Sequence, residues 1–440
     1  MADDPREFIL HVEKKFHQHR ALPRPEFLRH FQPRELHFYL KIVAELRARY
    51  RPNAPYRGLL RKFPVGHWQE AIFELLARFN RSREPDPVRS GIENGMSLVK
   101  AACAEFPELF ADNLDDLFVA RIDFPGHLTT YMWQQFGQGY REFLKIFVDA
   151  NEDDTDAQCR GLSYALITGD PEMERWAKDY IRHQLDLPRK LIEGLNITAE
   201  MLNQHLLAQG LEWHGNDVRP LYPREVWHVV FPYRYLHGSM DHETFKRGNP
   251  LPGNRTFGGS VFATNAAGKR IRIQHFVELD PIPHFLWVTG LQKLRIAADM
   301  DQVLLAPGET YQQHRPDGSV VVLGDKRTDY PAGHSHFTQQ TPLIKSAKVL
   351  FSRQGPAWFF QRLPLHSGSN FYRIGGPPSF IAGPYYPDCV KCGKKMNFLL
   401  QLDSNLPRED GQSQEWGQGG MAYVYWCDQC KISAINYSAE

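Results

Sequence analysis

Two Cys-x-x-Cys pairs near the end of the chain constrain its fold more than any other feature. They read Cys389-Val-Lys-Cys392, followed by Gly393, and Cys427-Asp-Gln-Cys430. Four thiolates in two such pairs complete a tetrahedral site, for which Zn²⁺ is the usual ion. Gly393 suits the turn after the second ligand, because glycine enters the positive-φ region at little cost. We therefore predict one structural Zn²⁺ bound by these four cysteines.

The spacing between the pairs predicts where the site lies. Residues 393–426 separate them, a longer interval than in common zinc ribbons, so we expect each pair to pin its own hairpin of a larger β domain. Two disulfides or a redox dithiol are the alternatives. The start, Met-Ala-Asp-Asp-Pro, has no apolar run behind basic residues, which predicts no signal peptide and a cytoplasmic location. A reducing compartment favours metal over disulfides, and four thiolates leave no position for a catalytic water.

Composition narrows the class of protein. With 42% hydrophobic and 23% charged residues, the 440-residue chain is typical of soluble globular proteins of two or three cores. No stretch approaches the ~20 apolar residues of a membrane span, so no membrane partner is expected. Residues 1–90 carry 18 Lys+Arg against 11 Asp+Glu, whereas residues 91–160 carry 5 against 13. This asymmetry either steers a charged protein partner or reflects ordinary solvated helix faces.

The first half of the chain, residues 1–220, is predicted to be α-helical. Apolar residues recur at helical spacing in several stretches: 36–50, 68–79, 88–106, 113–121, 127–149 and 156–168. Gly169, Asp170 and Pro171 predict the end of one helix and the start of the next. Residues 159–171 resemble a HEAT-type repeat unit, and both a HEAT-like solenoid and a plain helical bundle stay open.

Residues 226–440 are predicted to be β-rich, because short apolar or alternating runs follow one another between Gly, Pro, Asn and Asp clusters. The runs are Val226–Phe231, Ile271–Leu279, Phe285–Val288, Ser319–Leu323, Lys348–Phe351, Ala357–Phe360, Asn397–Leu402 and Met421–Trp426. The boundary with the helical half is expected at about residues 215–235. The fold class predicted is thus α+β and multidomain.

The β-rich half contains one pattern twice, which predicts an internal duplication with copies at about 226–365 and 366–440. A Gly-Gly turn, a Gly-Lys-(Arg/Lys) turn and a (Glu/Gln)-Leu-Asp strand end recur in the same order. They lie at Gly258-Gly259, Gly268 and Asp280, and again at Gly375-Gly376, Gly393 and Asp403. The first copy has Asn265-Ala-Ala where the second has its first cysteine pair.

The second copy resembles the YwqG family. The matching residues are Gly375-Gly-Pro-Pro378, Asn397-Phe-Leu-Leu-Gln-Leu-Asp403, Trp416-Gly-Gln-Gly-Gly420 and Tyr423-Val-Tyr-Trp426. The same superfamily includes the programmed-cell-death-2 type ribosome-assembly chaperones, which also place Cys-x-x-Cys-Gly before such a strand. The strong match covers about 370–432, a weaker one covers 226–365, and residues 1–220 are not covered. Gln418 stands where the family usually has Asp, which puts any role of that acid in doubt here.

The resemblance implies a duplicated β-rich fold that binds proteins or peptides. We therefore expect a non-enzymatic, zinc-containing protein-binding protein, either a bacterial toxin-neutralising protein of the immunity type or a chaperone-like protein that binds a client polypeptide. The alternatives are an enzyme with its active site in an interdomain cleft and a nucleic-acid-binding zinc protein.

Both alternatives have candidate residues. For an enzyme they are Asp329, His334, His336 and His366, although no hydrolase or phosphate-loop signature accompanies them. For nucleic-acid binding they are Lys269, Arg270, Arg272, Lys391, Lys394 and Lys395. The overall charge of +1 disfavours nucleic acid as the partner.

Overall fold

The structure is a computed structural model, and it describes part of the 440-residue chain. The described residues are 73, 76, 103, 107–120, 128–186, 197–215, 217–232, 235, 255–305, 308–324, 342–353, 372–381, 383–417 and 420–439. The predicted helix at 36–50 and the predicted strand at Ala357–Phe360 lie outside them.

The described residues before 210 are mainly helical, as predicted. The helices are α1 (Leu114–Val119), α2 (Leu128–Phe136), α3 (Arg141–Ala150), α4 (Thr155–Ile167), α5 (Pro171–Asp186) and α6 (Ala199–Ala208), and a short α7 (Met300–Leu305) follows later in the chain. The described residues also form three short 3₁₀ helices, η1 (Pro107–Phe110), η2 (Gly137–Tyr140) and η3 (His284–Leu286). Among the described helices, none combines the length and the apolar character that a bilayer-spanning segment needs.

The turn between α4 and α5 forms as its sequence predicts. Gly169 has φ of 71°. The Asp170 carboxylate accepts hydrogen bonds from the backbone N–H groups of Glu172, at 2.8 Å, and Met173, at 3.3 Å. Pro171 opens the helix, where its missing N–H costs nothing. This Gly-Asp-Pro sequence therefore fixes a tight turn between two helices.

The chain divides into two compact units, residues 1–124 with 132–145 and residues 125–131 with 146–440. In the smaller unit, the rings of Trp133 and Phe143 pack edge-on against Phe118. The Tyr140 hydroxyl donates to the carbonyl of Ala111 at 2.9 Å. The predicted division into a helical part up to 220 and a β-rich part from 226 stays a prediction, because most of residues 1–106 lies outside the described ones.

Sixteen strands are present in the described part of the larger unit. They are β1 (Leu211–His214), β2 (Asp217–Pro220), β3 (Val226–Val230), β4 (Arg255–Phe257), β5 (Ser260–Asn265), β6 (Arg270–Leu279), β7 (Leu294–Ala298), β8 (Thr310–His314), β9 (Val320–Gly324), β10 (Ala347–Ser352), β11 (Arg373–Gly375), β12 (Asn397–Asp403), β13 (Leu406–Pro407), β14 (Ser413–Gln414), β15 (Met421–Cys427) and β16 (Ile432–Ser438).

Eleven strands form a closed sheet, called the ring below. Its order is β4-β10-β3-β11-β12-β15-β16-β8-β9-β5-β6, and the pairing of β4 with β6 closes it. Strand β7 adds to β6 outside the ring, while β1–β2 and β13–β14 are separate hairpins. Pairings within the ring are antiparallel except that of β5 with β9. The fold is therefore a β-barrel with helices preceding it in the chain.

Strand pairing in the two sequence copies is equivalent. Phe257 of β4 pairs with Val277 of β6, and Ile374 of β11 pairs with Leu400 of β12. Each of these pairs lies at the same distance from its Gly-Gly turn and from its Leu-Asp strand end. The pairing of β6 with β7 shifts register at Phe276, and that of β12 with β15 shifts at Leu399. The repeated bulge indicates that both copies build the same local sheet.

Strands β3 and β10, which precede β4 and β11 in the chain, cross over, because each pairs with the strand that follows the other. Strand β3 pairs with β11, β10 pairs with β4, and β3 and β10 also pair with each other. A Cβ on Gly258 would lie 2.3 Å from the carbonyl oxygen of Lys345, and one on Gly375 would lie 2.5 Å from that of Glu225. Both glycines are thus required by the close approach of the backbone just before β10 and just before β3.

Three apolar clusters lie in the described β-rich part of the larger unit. One contains Phe257, Phe276, Trp416 and Trp426, a second surrounds the cysteines, and a small third contains Ala263, Ile273 and Val322. The strand predicted at Phe285–Val288 is wrong, because residues 285 and 286 belong to η3 and Trp287 has φ of 54°. Pro281 and Pro283 precede this run, and prolines disfavour a paired strand. The hairpin β1–β2 precedes residue 226 and was not predicted.

Candidate metal centre

The first cysteine pair lies in a tight hairpin turn before β12, residues 388–395, called the first knuckle. The Cys389 N–H donates to the carbonyl of Lys394 at 2.8 Å, and the Gly393 N–H donates to the carbonyl of Cys389 at 2.9 Å. Gly393 has φ of 70°, as the sequence predicts. A bridge between Asp388 and Lys395 closes the base of the turn. The backbone itself therefore aims the two thiols to one side.

The second pair lies in the hairpin between β15 and β16, residues 427–432, called the second knuckle. Cys427 ends β15 and pairs with Ile432 at the start of β16. Lys431 has φ of 54°, an uncommon conformation for a residue with a side chain. The Gln313 side chain donates to the carbonyl of Cys430 at 2.9 Å, which ties the knuckle to β8. Two separate hairpins thus supply the cysteines, as the long spacing predicts.

The structure brings all four predicted ligands together. The Sγ atoms of Cys389, Cys392, Cys427 and Cys430 lie within 4.8 Å of one another, and those of Cys392 and Cys427 are 3.7 Å apart. All four thiols are free. With Zn–S bonds of about 2.3 Å, a regular tetrahedron of sulfurs has edges of about 3.8 Å. The donor set and its size therefore fit a metal ion such as Zn²⁺.

The surroundings of the cluster are apolar. Cys389, Cys427 and Cys430 are buried, and Cys392 is half-buried. The same cluster includes Tyr311, Phe380, Tyr386, Met396, Phe398 and Tyr425. Four thiols in such an enclosure match the ligand set of structural zinc sites, in which four thiolates leave no position open for water.

Cys392, Cys427 and Cys430 differ in their tendency to ionise. Burial raises the pKa of Cys430 to about 11 and that of Cys427 well above its ordinary value. At Cys392 burial acts in the same direction, but the backbone of Lys394 and the neighbouring thiols stabilise the thiolate and lower its pKa. A bound cation deprotonates coordinating thiols outright. Metal binding at this site would therefore release protons and depend on pH.

The candidate residues of the two alternatives are not assembled into a second site in the part of the chain that the structure describes. The enzyme candidates lie outside that part: Asp329, His334, His336 and His366. Among the basic residues, Arg270 stacks on Phe262 at 3.8 Å from the ring centre, and Lys395 pairs with Asp388 at 3.1 Å. The Arg272 side chain donates to Ser260.

A groove of about 410 Å³ lies elsewhere in the larger unit. Its walls include Leu211, Tyr222, Pro223, Phe285 and Trp287, with the exposed Arg224 at its rim. The sequence did not predict it, because residues from α4, α5, β1, β2 and the segment after β6 meet there. The positive φ at Trp287 has no signal in the sequence.

Comparison with known proteins gives a partial match. Over 81 residues the chain is 33% identical to the uncharacterized protein YpfL of Salmonella typhimurium (strain LT2), a stretch that covers 17% of this chain and 18% of that protein. The chain thus spans less than a fifth of that relative, whose function is itself not described. No protein-family profile and no solved structure matches the chain.

Proposed function

We propose that this protein is a non-enzymatic binding protein whose β-rich part is held together by one structural Zn²⁺. The observation that carries the proposal is the assembly of Cys389, Cys392, Cys427 and Cys430 within an apolar cluster. Four thiolates saturate the ion, so it would cross-link two hairpins and leave no position for a substrate. The metal would hold the hairpin before β12 against the hairpin between β15 and β16 of the β-barrel.

Protein binding is the role that the sequence resemblance supports. Residues 370–432 resemble the YwqG family, and the equivalent pairings of β4 with β6 and β11 with β12 agree with the duplication that this resemblance implies. We propose that the partner is a polypeptide, either a toxin that this protein neutralises, as an immunity protein does, or a client that it binds as a chaperone does. The helices before residue 220 are proposed to be HEAT-like and to contribute to recognition.

The cytoplasm is the proposed location. Cys103 and Cys159 are both buried, and burial raises their pKa values, so these two thiols are expected to be inert core residues rather than ligands. All six cysteines are expected to be reduced, because the cytoplasm is a reducing compartment.

Metal analysis tests the first half of the proposal. Purified protein should contain about one zinc per chain, and Cys389→Ser or Cys427→Ser should remove it. Cys159→Ser is the matched control, because it removes a buried thiol outside the cluster. A wild-type chain with well under one zinc, measured by elemental analysis after expression in zinc-supplemented cells, contradicts the proposal.

Partner capture tests the second half. Protein purified from native cells should retain a polypeptide in a fixed molar ratio, and the rate of association should fall as salt rises if charge steers the encounter. Retention of nuclease-sensitive material instead would favour the nucleic-acid alternative. Turnover in a broad activity screen that is lost on changing His334 or His336 would favour the enzyme.

A further inference from the structure

Asp428, inside the second cysteine pair, anchors a segment that is distant in sequence. One carboxylate oxygen accepts hydrogen bonds from the Thr289 N–H at 2.8 Å, the Trp426 indole N–H at 3.2 Å and the Lys431 ammonium at 2.8 Å. The other accepts from the Thr289 hydroxyl at 2.6 Å. A charged acceptor with several donors makes stronger bonds than a neutral one. The second knuckle therefore holds Thr289 through hydrogen bonds to the Asp428 carboxylate.

Thr289 belongs to residues 284–290, called the Trp287 loop, which has an uncommon backbone. Trp287 has φ of 54° and Gly290 has φ of 66°. A left-handed backbone conformation is unfavourable for a residue with a side chain and persists only where the surroundings enforce it. The Lys431 ammonium also donates to the Thr289 hydroxyl at 3.1 Å. Asp428 and Lys431 supply the contacts that hold this part of the loop.

The Trp287 loop forms one wall of the groove described above. Phe285 is anchored from behind by Trp227, whose ring lies 5.4 Å away, and it is buried. Trp287 is 36% exposed and lines the groove together with Pro223. The half of the loop before Trp287 is thus fixed by the core, whereas the half after it depends on the second knuckle.

We propose that the metal bound by the four cysteines positions Trp287 through Asp428, so that this wall of the groove is ordered only in the metal-bound protein. The inference rests on the proposed zinc site. Cys427 and Cys430 flank Asp428, and coordination of both fixes the turn between them. Loss of the ion frees that turn, because folding of such knuckles is coupled to metal binding. Asp428 is then a positioning residue that links metal occupancy to a surface groove.

Hydrogen exchange measured by mass spectrometry tests this coupling in the full chain. Removing zinc with a chelator should raise exchange in peptides covering 287–290 by about tenfold or more. Asp428→Asn and Thr289→Val should produce the same increase in zinc-loaded protein while elemental analysis still finds about one zinc per chain. Asp317→Asn is the control, because Asp317 caps an exposed turn through the Ser319 N–H at 2.8 Å and should leave 287–290 unchanged.

The two variants keep the test decisive even if chelation unfolds the whole β-rich part. Unchanged exchange at 287–290 in zinc-loaded Asp428→Asn overturns the coupling and leaves the metal site standing. Absence of zinc from the wild-type protein contradicts the proposed function itself. Loss of zinc from Asp428→Asn would make Asp428 part of the metal site rather than its link to Trp287, and would also overturn the inference.

Discussion

The turn after β5 and the first knuckle occupy the same position in the two copies, yet they are closed by different chemistry. In the first copy the Asn265 N–H donates to the carbonyl of Lys269, and the Asn265 side chain accepts from the Lys269 N–H at 2.8 Å. In the second copy Cys389 makes the corresponding backbone bond to Lys394. A side-chain amide closes one turn and a thiol cluster closes the other.

The two turns show which residues of the repeated pattern form the shared backbone turn and which are candidate metal ligands. Gly268 and Gly393 both have positive φ, 77° and 70°, so the glycine belongs to the shared turn. The cysteines belong to the second copy alone within the described residues. The duplicated sheet therefore does not need the ion in both places, and matched substitutions in the two copies separate the two contributions.

The largest difference between the copies is expected from Cys389→Ser compared with Asn265→Ser. The first change should abolish zinc binding and lower the free energy of unfolding by more than about 3 kcal/mol, because metal binding and folding are coupled. The second removes a local side-chain bond and should cost about 1 kcal/mol. Urea denaturation with elemental analysis measures both. Equal, small losses would mean that the cysteines contribute no more than a turn.

The Gly-Gly turns should instead respond alike. Gly258→Ala and Gly375→Ala each force a methyl group against a backbone carbonyl at positive φ, and each should cost about 2–4 kcal/mol. Gly268→Ala meets no atom within 4 Å and should cost about 1 kcal/mol, from its positive φ alone. Thermal unfolding compares the three variants. A mild Gly375→Ala beside a severe Gly258→Ala would break the equivalence of the two crossings.

The stability of the protein is expected to depend on pH through Asp403, at the strand end of the second copy. Burial raises the pKa of Asp403 to about 7. The hydrogen bond from the Ser404 N–H lowers this pKa, and the nearby Glu415 carboxylate raises it by a smaller amount. A carboxyl whose pKa is raised on folding favours the folded state below the unfolded pKa, and this advantage is lost as pH rises from about 4 to 7. Asp403→Asn should therefore be neutral at pH 4 and stabilising at pH 8.

The expected gain in the free energy of unfolding at pH 8 is about 1 kcal/mol, because Asp403 keeps part of its surface accessible and water screens its charge. Asp280→Asn, at the exposed strand end of the first copy, is the matched variant and is compared at the same two pH values. Urea titrations at the two pH values measure both variants. A destabilised Asp403→Asn at pH 8 would show that the carboxylate is needed in its charged form.

The smallest effects are expected from the basic residues beside the two turns. Lys395→Ala removes an ion pair between the half-buried Lys395 and the exposed Asp388, and Arg270→Ala removes a cation stacked on the exposed Phe262. Each should change the free energy of unfolding by less than about 1 kcal/mol. A loss above 2 kcal/mol for Lys395→Ala alone would mean that the pair supports the metal site.

Local signals in the sequence predicted local structure well. Gly169, Asp170 and Pro171 fixed a helix end and a helix start because each acts on its own backbone, and the four cysteines were found because their chemistry demands a common centre. The run Phe285–Val288 was wrongly predicted to be a strand, because Phe285 packs on Trp227 from a 3₁₀ turn.

Contacts between distant segments were not predictable in the same way. The parallel pairing of β5 with β9 and the crossing of β3 and β10 depend on how the whole sheet closes. The anchoring of Thr289 by Asp428 joins two loops whose sequences carry no sign of each other. Such contacts follow from topology, which hydrophobic periodicity along one strand does not encode.

The pairings of β3 and β10 also determine when the sheet can close during synthesis of the chain. Strand β3 is synthesised long before β10 and β11, its partners on either side, and β4 likewise precedes β10. Pairings this distant in sequence form slowly, because a long loop must close before any contact stabilises it. Until β16 has been made and has paired with β8, the ring stays open with unpaired edges. A nascent chain of this protein is therefore open to aggregation from the synthesis of β3 until that of β16.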